Sequence, residues 1–514
     1  MSVNMYCGAQ YEYKQGVVKK LLDEGIIDFC LTDYIPDDRE EKPQSDARIV
    51  AINHDFCDTG MIEEQFDINS IPALDKSLME SLLPYESMGI KLGMRYDDCQ
   101  VVEYEEGKRN FFIQLRVWNY LFDKYSINFC FLNDVPHIQG KYAAYALAKV
   151  KNIKVLIMCP SPIETRRVFG FDINSLGANI YADYLKMKNE VVEISLDDDV
   201  ADFLENRIAM MKKRAESGVF MQDKKYIKKN KSLSSQQNLG YISGLYSYWR
   251  KKLLLLYKSF VDTRSMGEYR ERINHLRIER RRVFARSYWV HNLTYDLSDY
   301  DKLACIPDYS KKYIYYPLQF TPEATTMPSA GVFSEQYTAI QLLAQIADKL
   351  GLFVYVKEHY MQTYRSKSFY EDIRMIPNVC LIKLSEPTYN LMKNSTIVAT
   401  QTGTSLVEAP LMKKPAFAIG DGYHFKGLPG IYEIDSIDQG VEVLKGILEN
   451  SVDIPDEDLR LYFYAIQKNT IKDMNGEETV NYLLGKGGGI DKSDHVIASK
   501  VNMVKHSLEG LKLL

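Results

Sequence analysis

The chain lacks any run of about 18 apolar residues, so it offers no candidate transmembrane helix. Its longest aliphatic burst, 253–256, is far too short to span a bilayer. The start of the chain lacks a basic segment followed by an apolar one, so no secretory leader is expected. The eight cysteines (Cys7, Cys30, Cys57, Cys99, Cys130, Cys159, Cys305 and Cys380) include no C-x-x-C pair. Several sit inside apolar runs, as in Phe29-Cys30-Leu31 and Phe129-Cys130-Phe131, which fits small core residues kept reduced in the cytoplasm. That pattern argues against a zinc site, and no metal is expected. Charge of one sign is also lacking: 64 Lys and Arg against 69 Asp and Glu leave a net charge of -5. This fits neither a nucleic-acid binder nor a disordered acidic chain. No repeat is visible between the two halves.

What is present is ordinary for a protein with large cores: 46% hydrophobic and 26% charged residues. A length of 514 residues suggests two to four domains. Tyrosine, at 37, fits sugar-facing or interfacial surfaces and equally a coding bias. Strand-like segments at 26–31, 48–54, 127–133, 154–159 and 190–194 alternate with helix-like ones at 16–24, 108–125, 140–149 and 199–214. Near-continuous apolar strands between amphipathic helices indicate a parallel sheet covered on both faces. From residue 301 the rhythm returns. Strands are expected at 312–317, 352–356, 379–381, 395–399 and 416–419, and helices at 334–350, 366–375 and 405–412. The predicted organisation is α/β: a doubly wound domain over 1–205, a basic helical linker or insertion over 206–300, a second doubly wound domain over 301–452, and a helical tail over 453–514 broken by the glycines at 485–489.

The segment 212–286 is rich in Lys and Arg, with Trp249 and a leucine cluster among them. One reading is a basic amphipathic patch on an anionic membrane surface; the plainer one is a solvated helical linker.

Residues 397–420, IVATQTGTSLVEAPLMKKPAFAIG, read as strand, small-residue turn, helix and strand. A turn at that place in a parallel sheet can present N–H groups to an anion, with Gly403 admitting a close approach and the hydroxyls of Thr402, Thr404 and Ser405 donating to phosphate. Glu408, one helical turn in, could accept from ribose hydroxyls. The same pattern also fits a helix cap that needs no ligand. Upstream, the Pro-rich loop after the strand at 312–317 would present Gln319 and Glu323 at a strand's C-terminal end, where open α/β sheets bind ligands. Lys357 and His359 share one face of the next strand end, where they could hold a phosphate, with His359 as donor or acid to a leaving group.

Together, PLQFTPEATT, VYVKEH, NVCLI and TQTGTSLVEAPLMKKPAFAIG resemble the C-terminal half of the bacterial capsule polysaccharide biosynthesis glycosyltransferases, which include transferases of Kdo from CMP-Kdo. The resemblance covers 312–425 well and the N-terminal half weakly. Family members carry His-Pro where this chain has His359-Tyr360. The resemblance implies the GT-B fold, two Rossmann-like domains with the donor nucleotide on the second. It implies that His359 and the turn Thr402, Gly403, Thr404 and Ser405 hold the donor phosphate. Glu408 would hold the ribose, and Gln319 and Glu323 would face the sugar or acceptor. A nucleotide-sugar donor (a CMP-sugar before a UDP-sugar), a glycan or glycolipid acceptor, inversion without a metal, and a cytoplasmic enzyme peripheral on the inner membrane are the corresponding expectations. The alternatives are a nucleotide-sugar 2-epimerase, a CDP-polyol phosphotransferase, or a non-catalytic capsule-assembly adaptor.

The acceptor base is expected in the first domain. Asp134 and His137 follow the strand at 127–133 and could together deprotonate a sugar hydroxyl, though Asp134 could instead cap the next helix. His54-Asp55 and Glu86 are weaker rivals. Asp197-Asp198-Asp199 suits the start of a helix better than a metal site.

Overall fold

Strands of β-branched and aromatic residues build two sheets, each buried on both faces, as expected for parallel β-structure. The computed structural model describes residues 2–8, 16–34, 46–53, 70–94, 104–163, 165–216, 250, 294–295, 297–321, 323–362, 365–450, 452–472 and 494–513. His54-Asp55, Trp249, the glycines of 485–489 and the basic segment beyond residue 216, Arg250 apart, lie outside the described residues.

The first lobe runs β1 (Asn4–Cys7), α1 (Val17–Asp23), β2 (Phe29–Tyr34), β3 (Ile49–Asn53), α2 (Lys76–Met94), α3 (Tyr104–Lys124), β4 (Phe129–Leu132), α4 (Gln139–Val150), β5 (Lys154–Pro160), β6 (Arg166–Gly170), α5 (Ala178–Lys188) and α6 (Asp198–Glu216). The second runs β7 (Thr294–Tyr295), α7 (Leu297–Leu303), β8 (Tyr313–Pro317), α8 (Gln336–Asp348), β9 (Phe353–Lys357), β10 (Arg365–Ser366), α9 (Lys367–Arg374), β11 (Val379–Leu381), α10 (Thr388–Asn394), β12 (Ile397–Thr400), α11 (Ser405–Leu411), β13 (Ala416–Ala418), β14 (Ile431–Glu433) and α12 (Ile437–Glu449). Three elements follow: α13 (Asp456–Lys468), β15 (Thr470–Lys472) and α14 (Asp494–Gly510).

The first sheet has the order β15-β6-β5-β4-β1-β2-β3, the second β11-β9-β8-β12-β13-β14. In each, the first parallel strand stands inside the sheet and the chain winds outward in both directions, which is the doubly wound arrangement. Side chains alternate between the faces. In β4, Cys130 and Leu132 pack with α2, α3 and α4, while Phe129 and Phe131 pack with α1 and α14. In β8, Tyr313 and Tyr315 face α10 and α11, while Ile314 and Tyr316 face α8. The fold class is thus α/β and GT-B-like, as expected.

Many tyrosines are core residues rather than surface ones. Tyr313 donates to Leu391 O (2.7 Å), Tyr300 to Ile382 O (2.7 Å) and Tyr355 to Asp308 O (2.9 Å), which satisfies each hydroxyl as it is buried.

Two expectations change. The 190–194 run is not a strand: Val191 is fully exposed, and the segment after it is drawn along α13 by Gln467, which accepts from Asp197 N (2.7 Å) and donates to Ser195 O (3.2 Å). The tail is not purely helical. β15 pairs antiparallel with β6, itself antiparallel to β5, and α14 packs its apolar face on α1. The last part of the chain therefore returns to the first lobe. Buried Arg166 secures that return. It bonds Asp199 (2.8 and 2.9 Å), Asp197, and the carbonyl of Gln467 (3.2 Å). Burial alone would raise Asp199, but its bonds to Arg166 and Thr165 outweigh that and hold it below its ordinary value. The acidic triplet is an anchor at the first turn of α6.

Candidate active site

In the second sheet the winding reverses between β8 and β12, so their C-terminal ends leave a crevice where a ligand can meet backbone. Three chain segments emerge there: Leu318-Gln319 after β8, Glu358 to Tyr360 after β9, and the turn from Gln401 to Ser405 after β12.

The turn is braced from behind. With its amide oriented to accept, buried Gln319 takes the N–H groups of Thr402 (3.0 Å) and Gly403 (2.7 Å). Gln319 is itself fixed by Gln336, which exchanges two bonds with its backbone (2.7 and 3.0 Å). A Cβ on Gly403 would lie 3.1 Å from the Gln319 amide, so the glycine makes room for Gln319, not for a ligand. Thr402 Oγ1 donates to Thr325 O (2.6 Å). Exposed Glu323 accepts from Thr325 Oγ1 (2.8 Å). Gln319, Glu323, Thr402 and Gly403 therefore belong to the turn and its bracing and are not among the residues that line the cavity beside it.

That cavity, of about 400 Å³, is lined by Lys357, His359, Thr404, Ser405 and Glu408, with Tyr315, Tyr360, Thr388 and Tyr389 around them. Five of the expected site residues thus converge from two strand ends and one helix. Lys357 Nζ donates to Glu386 O (2.7 Å). His359 Nδ1 accepts from Met361 N (3.3 Å), which in the neutral ring leaves the proton on Nε2. Burial, opposed by the charge of Glu358, lowers His359 to about 4, so the ring is neutral at physiological pH. Its face stacks on Tyr360, with centroids 4.7 Å apart, so the tyrosine that follows it packs as a wall of the cavity.

Glu358, between two residues that line the cavity, turns its side chain inward. Fully buried, it accepts from Arg365 (2.7 and 3.1 Å), Tyr370 (2.5 Å) and the N–H of His359 (2.7 Å). This network fixes the strand end that carries Lys357 and His359.

The remaining wall was not expected from any motif. Arg207, Met210, Met211 and Ala215 of α6 close the cavity, and Arg207 is ion-paired to Glu408 at 2.6 Å. Arg207 lies 201 residues from Glu408 among many basic residues, so neither spacing nor motif could single it out.

In the first lobe, Asp134 and His137 sit after β4, which neighbours β1 at that sheet's own reversal point. Asp134 does not cap α4, whose N-cap is Ile138; it accepts from Val135 N (2.7 Å). His137 Nδ1 lies 2.8 Å from Val135 O and 3.7 Å from Asp134 Oδ2. Partial withdrawal from water raises Asp134, which is only half-buried, above its ordinary value, opposed by His137, Arg167 and Lys141. The charge of Asp134 is felt by Cys159, which contacts His424 of the second lobe (3.4 Å), so the pair stands near the seam between lobes. The seam is tight: a Cβ on Gly177 (φ +78°) would lie 2.3 Å from His424 O. Asp134 and His137 do not line the cavity around Glu408. Glu86 is ion-paired to Lys108 (2.7 Å), a structural role.

No family model matches the chain, and no curated protein matches it. Solved structures similar to it include the UDP-GlcNAc 2-epimerase from Methanocaldococcus jannaschii, at 8% identity and a TM-score of 0.27 over 91% of this chain and 99% of that one. Another is the Thermosulfurimonas dismutans KpsC, a beta Kdo 2,7 transferase, at 10% identity and a TM-score of 0.32 over 76% of this chain and 89% of that one. Likenesses this distant do not distinguish one reaction from another.

Proposed function

We propose that the chain is a GT-B-type glycosyltransferase that moves a sugar from a nucleotide donor to a glycan or lipid-linked acceptor. One observation carries the reading: Lys357, His359, Thr404, Ser405 and Glu408 share one cavity beside the reversal point of the second sheet. An ammonium, an imidazole N–H and two hydroxyls suit a phosphate, and a carboxylate suits ribose hydroxyls. The motif resemblance favours a CMP-sugar over a UDP-sugar and a surface polysaccharide as product.

In this reading Asp134 or His137 takes the proton of an acceptor hydroxyl. The acceptor oxygen attacks the anomeric carbon while its bond to the donor phosphate breaks, inverting the configuration. The nucleotide leaves with its electron pair. Lys357, the His359 Nε2–H and the hydroxyls of Thr404 and Ser405 meet the charge, a preorganised set of donors needing no metal. Among the described residues no helix is long and apolar enough to cross a membrane. The basic segment 212–286 is assigned to an anionic membrane surface as part of the same proposal.

The test is a binding screen with CMP, UDP, GDP and CDP, then donor turnover with and without acceptor in anionic or neutral vesicles. The expected result is a CMP preference, strict acceptor dependence and higher activity in anionic vesicles. Donor conversion without acceptor would identify an epimerase, and a phosphodiester product a polyol phosphotransferase. Failure to bind any of the nucleotides would remove the proposal and leave an adaptor.

A further inference from the structure

Glu408 is already engaged, and the way it is engaged is informative. Arg207 donates from Nε (3.0 Å) and Nη2 (2.6 Å), and both bonds fall on one carboxylate oxygen, Oε1. No bond to Oε2 is found among the described residues. The Glu408 side chain is 9% exposed and that of Arg207 25%. Withdrawing two charges this far from water is unfavourable unless the remaining lone pairs also find donors. Oε2 is thus the one strong acceptor in the pair with capacity to spare, and both residues line the cavity. The guanidinium is held in place from its own helix as well, 5.8 Å from the ring centre of Phe203 one turn earlier. It is a fixed group rather than a loose surface chain.

Two roles fit a buried Arg on a binding-site carboxylate. It could block the site and have to swing away, or it could hold the carboxylate in the orientation a ligand needs. The single-oxygen geometry favours the second, since a blocking arginine gains most by a fork on both oxygens. We infer that Arg207 is a positioning residue. By holding Oε1 it presents Oε2 to the hydroxyls of a ribose, so that Arg207 and Glu408 together read the vicinal diol of a ribonucleotide. This inference rests on the nucleotide reading above and adds a residue, contributed by α6 of the first lobe, to a site otherwise built by the second. A ligand lacking the diol leaves Oε2 buried and unpaired, which is the origin of the selectivity.

The full-length protein is titrated calorimetrically with CMP and with 2′,3′-dideoxy-CMP, as wild type and as Arg207→Ala, Arg207→Met, Arg207→Lys and Glu408→Gln. The wild type is expected to prefer CMP by about tenfold or more, the scale of one hydrogen bond to a charged acceptor. Arg207→Ala shrinks that ratio severalfold while the dideoxy affinity stays put, and Arg207→Lys restores part of it. Arg207→Met keeps the stem's packing on Phe203 and gives the same collapse if the alanine variant does not fold. Equal losses for both probes would make Arg207 a phosphate or structural residue, and tighter CMP binding would make it a gate. Either result, or an unmoved ratio, overturns the inference while the nucleotide reading stands. A wild type that binds neither CMP nor any other ribonucleotide overturns both.

Discussion

Each lobe carries a histidine just beyond a strand that neighbours its sheet's first parallel strand, and the two are wired in opposite senses. His359 Nδ1 receives the N–H of Met361, two residues ahead, so Nε2 is the donor. His137 Nδ1 faces the carbonyl of Val135, two residues behind (2.8 Å), which can only accept, so in the neutral ring Nε2 keeps an open lone pair. The residue type is the same; the backbone partner decides whether it gives or takes a proton. In the proposed reaction the second lobe would offer a donor to the leaving phosphate and the first an acceptor for a hydroxyl proton, with the Asp134 carboxylate 3.7 Å from the His137 ring.

The sharpest way to break this comparison is to remove each ring in turn. His137→Ala and His359→Ala should each lower turnover by roughly 10²–10⁴, the range for a positioned acid or base. They should differ in binding. His359→Ala weakens CMP because a phosphate donor is gone, whereas His137→Ala leaves CMP affinity at the wild-type level. Paired measurements of kcat and CMP affinity decide it; full turnover in His137→Ala and Asp134→Asn together would leave the first lobe without a base.

The same contrast explains what could be read in advance. Both doubly wound sheets followed from apolar runs that alternate with amphipathic helices, because burial on two faces leaves that signature locally. The convergence of Lys357, His359, Thr404, Ser405 and Glu408 was also legible, since strand ends on one side of a parallel sheet must share a rim. Direction within the rim was not. Nothing local distinguishes Gln319, which turns back to hold the turn, from Thr404, which opens on the cavity; the deciding partner, Gln336, lies on another element. Arg207 and the β15 strand escaped for the same reason, their contacts being set by chain return rather than by neighbours in sequence.

Glu358 tests the inward half of the second-lobe motif. Glu358→Ala would strand Arg365 in the core without its counter-charge, and Tyr370 without its acceptor. Removing one partner of a buried pair costs on the order of 3–5 kcal/mol, so a large fall in Tm is expected by thermal unfolding. The exposed Glu323→Ala should leave Tm almost unchanged. Equal, small effects would mean that the strand end does not depend on this network.

The last contrast is a pH dependence of stability. Burial lowers both His359 and His424 to about 4 from an ordinary value of 6.5. Between those values the unfolded chain binds protons at these two positions and the folded chain does not. Their contribution is therefore neutral above pH 6.5 and becomes destabilising as the pH falls towards 4, where it levels off. Tm should drop from pH 7 to pH 4.5, and His424→Gln should flatten part of that drop. CMP separates the two rings, because an anion beside His359 favours the protonated imidazole and raises its pKa, while His424 lies at the seam with Cys159. Binding measured at pH 5 in buffers of different ionisation heat should show proton uptake in wild type and in His424→Gln, and lose it in His359→Gln. Uptake that persists without His359 would place the phosphate elsewhere, and the opposite wiring of the two strand-end histidines would then have no part in handling the leaving group.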